Sequence, residues 1–167
     1  MNLQINVSTK GALLSGKSPE IIQANLDRFV TQATMFLQVE VQKRTPQGVF
    51  GAQGGLLGSI QSEITGKGSP VIKGTVMSAQ KYAEVIEKGR TAGKGMPPVG
   101  TLLRWLEVKL GLSETEAKQI EFVVRRKIGG KGFEGRHMFE KAVTENQSRL
   151  DQMAQACGLS IATELSK

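Results

Sequence analysis

Apolar and polar positions alternate with period two over Met1–Val7, with Leu3, Ile5 and Val7 on one side and Asn2, Gln4 and Asn6 on the other. That pattern predicts a strand, which could join a sheet in its own subunit or add to a neighbour's edge. The period changes after Pro19. Ile22, Leu26, Phe29, Val30, Ala33, Phe36 and Leu37 recur at three- and four-residue spacing, so Pro19–Lys43 reads as a long amphipathic helix with one buried stripe. Ser18 is placed to cap it and Pro19 to take its first position. Thr45 precedes Pro46, and the residue before a proline is driven out of helical backbone, which ends the element.

Gln47–Gly55 is a glycine-rich loop with Val49 and Phe50 at its centre; these two side chains either form a docking point or fold back onto the core. Leu56–Ile64 and Pro70–Met77 follow, separated by a glycine-bearing turn. The second segment is β-branched and reads as strand. In the first, Leu56, Ile60 and Ile64 fit either a strand or a four-residue helical repeat, and the turn between the segments favours a β-hairpin. Lys81–Gly89 then gives one or two helical turns with Tyr82, Ala83, Val85 and Ile86 together, closed by Gly89. Residues Arg90 to Pro97 have no periodicity and read as a solvated loop carrying Arg90, Lys94 and Met96. Pro98 suits the first turn of a helix over Val99–Leu110, with Leu102, Leu103, Leu106 and Leu110 inward. Arg104 and Trp105 lie off that stripe, and Trp105 is either a second core contact or an interface anchor.

Gly111 ends this helix, and Ser113-Glu-Thr-Glu116 is a capping box that starts the next. Ala117, Ile120, Val123, Val124 and Ile128 give its expected buried face, and Gly129-Gly130 its end. A last helix is expected over His137–Leu165. Its seam of Phe139, Val143, Asn146, Leu150, Met153, Cys157, Ile161 and Leu165 could pair with the first helix or with another subunit.

With 167 residues the chain suits one domain over 19–167, preceded by an arm at 1–18. Aromatic residues make up only 5%, so the core is aliphatic, and eight of the 20 glycines fall between Gly48 and Gly74, which makes that region loop-rich. The net charge of +7 favours a polyanionic neighbour such as DNA or an acidic protein surface. It is concentrated in one place: Lys118, Arg125, Arg126, Lys127, Lys131 and Arg136 stand against only Glu121 and Glu134 in that span. These cations could touch DNA phosphates without regard to sequence, salt-bridge to an acidic subunit, or solvate a helix end. The lone Cys157 cannot form an internal disulfide and reads as an inert thiol on an apolar seam, which fits a reducing compartment. No apolar run is long enough to span a bilayer, and MNLQINVSTK lacks a signal-peptide pattern.

One motif points to chemistry. Gly11-Ala-Leu-Leu-Ser-Gly16-Lys17-Ser18 matches a phosphate-binding loop, in which backbone amides cradle phosphates and the lysine neutralises charge. Enzymes of that type hold their metal with an Asp at the end of a second buried strand. The two aspartates here, Asp27 and Asp151, both fall within helical patterns, so the segment reads instead as a connector ending in a helix cap. Gly130-Lys-Gly-Phe-Glu-Gly135 matches G-x-G-x-x-G but follows a helix where a dinucleotide site needs a strand. His137 has no ligand set or triad partners beside it in sequence. No catalytic residue, cofactor or metal is expected.

Taken in order, Thr45-Pro46, Gly54-Gly-Leu-Leu-Gly-Ser59-Ile60, Tyr82-Ala83, Glu87-x-Gly89-Arg90, the loop to Pro97-Pro98 and the Trp105 helix resemble the minor tail or neck proteins of long-tailed bacteriophages. The likeness runs over residues 19–145. It implies an α+β fold: a long N-terminal helix, a small antiparallel sheet, a short helix and three C-terminal helices packed on the sheet. It also implies a structural virion protein, not an enzyme: a ring of identical subunits, with a hexamer among the options, at the head–tail junction around double-stranded DNA. Head-closure and tail-terminator or tube subunits would be its neighbours, and it would be assembled in the host cytoplasm. On that reading Val49, Phe50, Tyr82, Glu87, Arg90, Lys94, Met96, Arg104 and Trp105 are candidate inter-subunit or partner contacts. Arg125, Arg126, Lys127, Lys131 and Arg136 would face the DNA channel or an acidic partner. The alternative is a sequence-nonspecific nucleic-acid-binding protein using the basic 118–136 region.

Overall fold

The computed structural model describes residues 1–8, 19–49 and 54–165. The Gly11–Ser18 connector with its cap, and Phe50, lie outside the described residues. Among the described residues the fold is mixed α and β, with seven helices and small antiparallel sheets of three and two strands. The chain forms two compact units where its sequence reads as one domain: Met1–Arg44, Ile60–Ser78 and Phe139–Lys167 make unit one, and Thr45–Ser59 with Ala79–Met138 make unit two.

Unit one is built on a sheet of order β1-β3-β2, from β1 (Asn2–Ser8), β2 (Ile60–Thr65) and β3 (Val71–Ser78). The N-terminal strand therefore belongs to its own subunit's sheet. Its register puts Leu3 opposite Val76, Ile5 opposite Gly74 and Val7 opposite Ile72. The second pairing sets Ser62 beside Val76 and Ile64 beside Gly74. The period-two pattern thus gathers one apolar face, while Gln4, Asn6, Lys73 and Glu63 share the other.

Helix α1 (Pro19–Arg44) lies on the apolar face. Its buried residues include Val30, Ala33, Thr34, Leu37 and Val41, and it ends one residue beyond the expected stop. Burying each large member of this set contributes about 1.5–3 kcal/mol. The closest approach is at Gly74: a Cβ there would run into Thr34 Oγ1, so only glycine fits. Thr34 in turn gives its hydroxyl hydrogen to Val30 O at 2.6 Å, which satisfies it inside the core.

The expected last helix is two helices, α6 (Met138–Thr144) and α7 (Gln147–Leu165). Asn146 breaks it. Its side-chain amide donates to Ala142 O at 3.0 Å, and its backbone N–H closes a tight three-residue step to Val143 O at 3.1 Å. Glu145 is held by Arg44 at 2.7 Å. Beyond the break, α7 packs along α1. Its seam residues Leu150, Met153, Cys157 and Ile161 are only half-buried, and Leu165 is exposed. Gly158 sits within the helix without ending it.

In unit two the Leu56 ambiguity resolves both ways: α2 (Gly55–Gly58) is a single turn carrying buried Leu56, and β2 of unit one begins at Ile60. The Ser59 hydroxyl donates to Leu56 O at 2.7 Å and closes the turn. Then come α3 (Ala83–Lys88), β4 (Gly89–Arg90), α4 (Leu103–Leu110), α5 (Glu114–Lys131) and β5 (Phe133–Glu134), with β4 and β5 paired antiparallel. Leu56, Ala83, Leu106, Ala117 and Met138 are buried here.

Candidate interaction surface

Several of the expected site residues of unit two lie on or against α5. The helix starts where the sequence places it: Ser113 and Glu116 form a reciprocal capping box. It does not stop at Gly129-Gly130 but runs to Lys131 and closes on Gly132, whose N–H bonds Ile128 O at 2.9 Å. Gly129 stays helical because the 91–96 loop needs its bare surface. A Cβ at Gly129 would sit 2.9 Å from Gly95 O, and Gly129 O accepts the Gly93 N–H at 2.8 Å.

That loop carries more internal structure than its sequence suggests. One Arg90 guanidinium nitrogen donates to Lys94 O at 2.7 Å and to Gly95 O at 3.1 Å. Arg125 Nε donates to Pro97 O at 2.7 Å. Arg90 and Arg125 therefore hold the loop from inside; Lys94 is exposed, and Met96 is exposed with its side chain also resting against Gly129. Beside it, Arg136 and His137 give their backbone N–H groups to Ile86 O and Glu87 O, at 2.8 and 3.0 Å, which laces the chain after β5 to the end of α3. Gly89, at φ 78°, closes α3 as expected.

Three expected faces are corrected. In α3, Glu87 is inward at 1% exposure while Tyr82 and Val85 are exposed, so Glu87 cannot itself meet a neighbour in this conformation. In the next element, helix begins at Leu103 and not Val99. Gly100 has φ 84°, outside helical backbone, and the Thr101 hydroxyl takes Pro98 O at 2.7 Å. Val99 is left 77% exposed, and Leu110 is exposed at the far end.

The third correction bears most on function. The buried side of α5 is Ala117, Glu121 and Gly129, with Val124, Arg125 and Ile128 half-buried. Ile120 and Val123, expected inside, are exposed, with Val123 at 54% and neighbouring Phe122 at 52%. The reason is Glu121: its carboxylate accepts the Leu102 backbone N–H at 3.2 Å, which fixes the helix with an acid pointing inward. Apolar spacing alone could not reveal that a carboxylate wins the core position. Arg126 stands over the Phe122 ring at 5.8 Å from its centroid.

The surface of unit two thus carries Met96, Trp105, Val108, Ile120, Phe122 and Val123, together with cations. Trp105 is 43% exposed and Arg104 leans on Glu107 at 3.4 Å. Of the expected cationic set, Lys118 pairs with Glu114 and Arg125 holds the loop, whereas Lys127, Lys131 and Arg136 are exposed and form no ion pair among the described residues. Val49 is half-buried. Among the described residues no three His, Cys, Asp or Glu side chains gather as a metal-binding set, and no helix is long and apolar enough to cross a membrane. No protein-family model, curated protein or solved structure matches the chain.

Proposed function

We propose that this chain is a ring-forming structural subunit of a tailed-phage virion, placed at the neck or the head-proximal end of the tail. The observation that supports this most is the exposed apolar set on the α4–α5 pair, Trp105, Val108, Ile120, Phe122 and Val123. Several large side chains left in solvent on one helix pair suit a protein–protein surface, and tryptophan is a frequent anchor there. The order of motifs from Thr45-Pro46 to Trp105 points the same way. In a ring, this surface meets a different surface of the next copy, and the contact closes by rotation.

Its partners would be further copies of itself and adjoining head-closure and tail-terminator or tube subunits, with double-stranded DNA passing through the hole. Exposed Lys127, Lys131 and Arg136 would then stand toward phosphates or an acidic neighbour. Light scattering with electron microscopy tests the reading. A closed ring of about six subunits is the expected particle. A chain that stays monomeric both alone and with purified neck and tail subunits would overturn it.

The same three cations favour a second reading, sequence-nonspecific binding to free DNA. Salt-titrated binding to a random duplex distinguishes the two: contacts from three cations give a slope of log K on log salt of about −3. Weak binding with no such slope leaves the assembly role.

A further inference from the structure

A groove of about 510 Å3 runs between α1 and α7, wholly within unit one. On α1 it is lined at positions 25, 28, 29, 32 and 36, and on α7 at 149, 152, 153, 156, 157 and 160, each a single helical stripe three turns long. At 1.5 Å per residue that is about 16 Å of open channel between two parallel-lying rods. Half-buried Phe29, Phe36, Met153 and Cys157 give the floor its apolar part, and polar side chains such as Gln32 and Gln152 line about as much of the groove.

The helices run antiparallel. The Cys157 thiol donates to Asn25 O at 3.5 Å near one end, and Asn146 reaches Glu40 at 3.5 Å toward the other. Arg28, one turn on from Asn25, therefore stands near the Cys157 end, and Arg149 stands at the opposite end. Both arginines are exposed, and neither forms an ion pair among the described residues; Arg149 only donates to Gln152 at 3.3 Å. Among the described residues no carboxylate lines the groove. Asp151 is engaged with Gln147 and Asp27 with Gln23 and Gly68 N, and Glu164 accepts from Asn25 at the Arg28 end of the groove.

We propose that this groove binds an amphipathic helix of a partner protein whose apolar stripe is flanked by two acidic residues about two turns apart, one for Arg28 and one for Arg149. A duplex nucleic acid would use the arginines but leave the apolar floor uncovered. A second copy seated face to face would set arginine against arginine. An acidic helix satisfies both the floor and the charges, in the helix-in-groove mode. The spacing predicts a face of the form Glu-x-x-Leu-Leu-x-x-Glu. This site is separate from the proposed ring surface, and its test does not depend on ring formation.

The test uses the full-length protein and a fluorescein-labelled, alanine-based helix of about 18 residues carrying that face, long enough to hold helix in water. A second probe has lysine in place of both glutamates. The expected result is saturable binding of the glutamate probe, slower maleimide alkylation of Cys157 when it is bound, and little binding of the lysine probe. In the exposed-site double variant Arg28→Glu/Arg149→Glu, preference inverts, with the glutamate probe weakened at least about tenfold. Absence of binding, binding indifferent to the charge swap, or Cys157 alkylation unchanged by the probe would each overturn the proposal. So would dimerisation through this face, or DNA binding lost in the same double variant without any peptide binding.

Discussion

Arg125 Nε donates to Pro97 O at 2.7 Å, so the end of the 91–96 loop is fastened to the middle of α5. The contact turns a glycine-rich stretch into a shaped surface. Removing it frees the loop without opening the core. Arg125→Ala should cost about 1.5–3 kcal/mol of stability, the net worth of one hydrogen bond from a charged donor. Amide exchange over residues 91–96 should rise more than elsewhere. Uniform acceleration across both units would show that Arg125 supports the whole fold instead.

Glu121 gives a sharper case. Its buried carboxylate accepts the Leu102 N–H at the start of α4. Glu121→Gln retains an acceptor and should be nearly neutral. Glu121→Ala leaves both the amide and a void, and should lower stability by about 2–3 kcal/mol in denaturant unfolding. Equal effects of the two substitutions would show that packing volume, not the acceptor, sets the position.

β1 and α1 were legible because their periods are sustained: Leu3, Ile5 and Val7 alternate, and Val30 to Val41 repeat every three or four residues; the two-residue strands β4 and β5 are too short to carry a period. The capping box at Ser113 was legible because it is local chemistry. The buried side of α5 was not, because Glu121 is inward for a hydrogen bond to residue 102, distant in sequence. The break at Asn146 depends on Ala142 and Arg44, and apolar spacing continues straight across it. The tied loop was hidden for a similar reason: Arg90 and Arg125 read as surface cations until the carbonyls they hold are placed beside them.

Gly74 faces Thr34 across the sheet–helix contact, and a Cβ there has nowhere to go. Gly74→Ala should push α1 off β3 and cost about 2–3 kcal/mol. Thr34→Ala removes the obstructing hydroxyl. The double variant should recover at least half of the loss, and a cycle with no such coupling would contradict the close approach.

Acid should weaken unit one through a defined group. Glu40 is held below its ordinary value of 4.5 by hydrogen bonds from Lys43 and then Arg44, at 2.6 Å each. A depressed folded-state pKa means that the stabilisation is fully present above the unfolded value and is lost as pH falls below about 4.5 through the folded one. Lys43 is largely exposed, so its share is screened, and Arg44, also bound to Glu145, carries the durable part. Glu40→Gln should lower the thermal midpoint at neutral pH and flatten the acid limb of its pH dependence. An unchanged acid limb would assign acid sensitivity to another carboxylate.

The exposed apolar set on α4 and α5 makes the assembly reading testable without touching the fold. Trp105 is 43% and Val123 54% exposed, so Trp105→Ser/Val123→Glu should keep the fold and lower its stability by no more than about 2 kcal/mol. If these side chains are anchors, the concentration for half-assembly should rise at least about a hundredfold, equivalent to some 2.7 kcal/mol lost at each contact. Lys127→Glu/Lys131→Glu alters charge on the same helix and separates the two proposed roles. It should steepen nothing in self-assembly but remove the salt-dependent part of DNA binding. A ring that forms normally with Glu at 123 and Ser at 105 would place the subunit contact elsewhere on the chain, and the α4–α5 surface would then be left for a different protein of the particle.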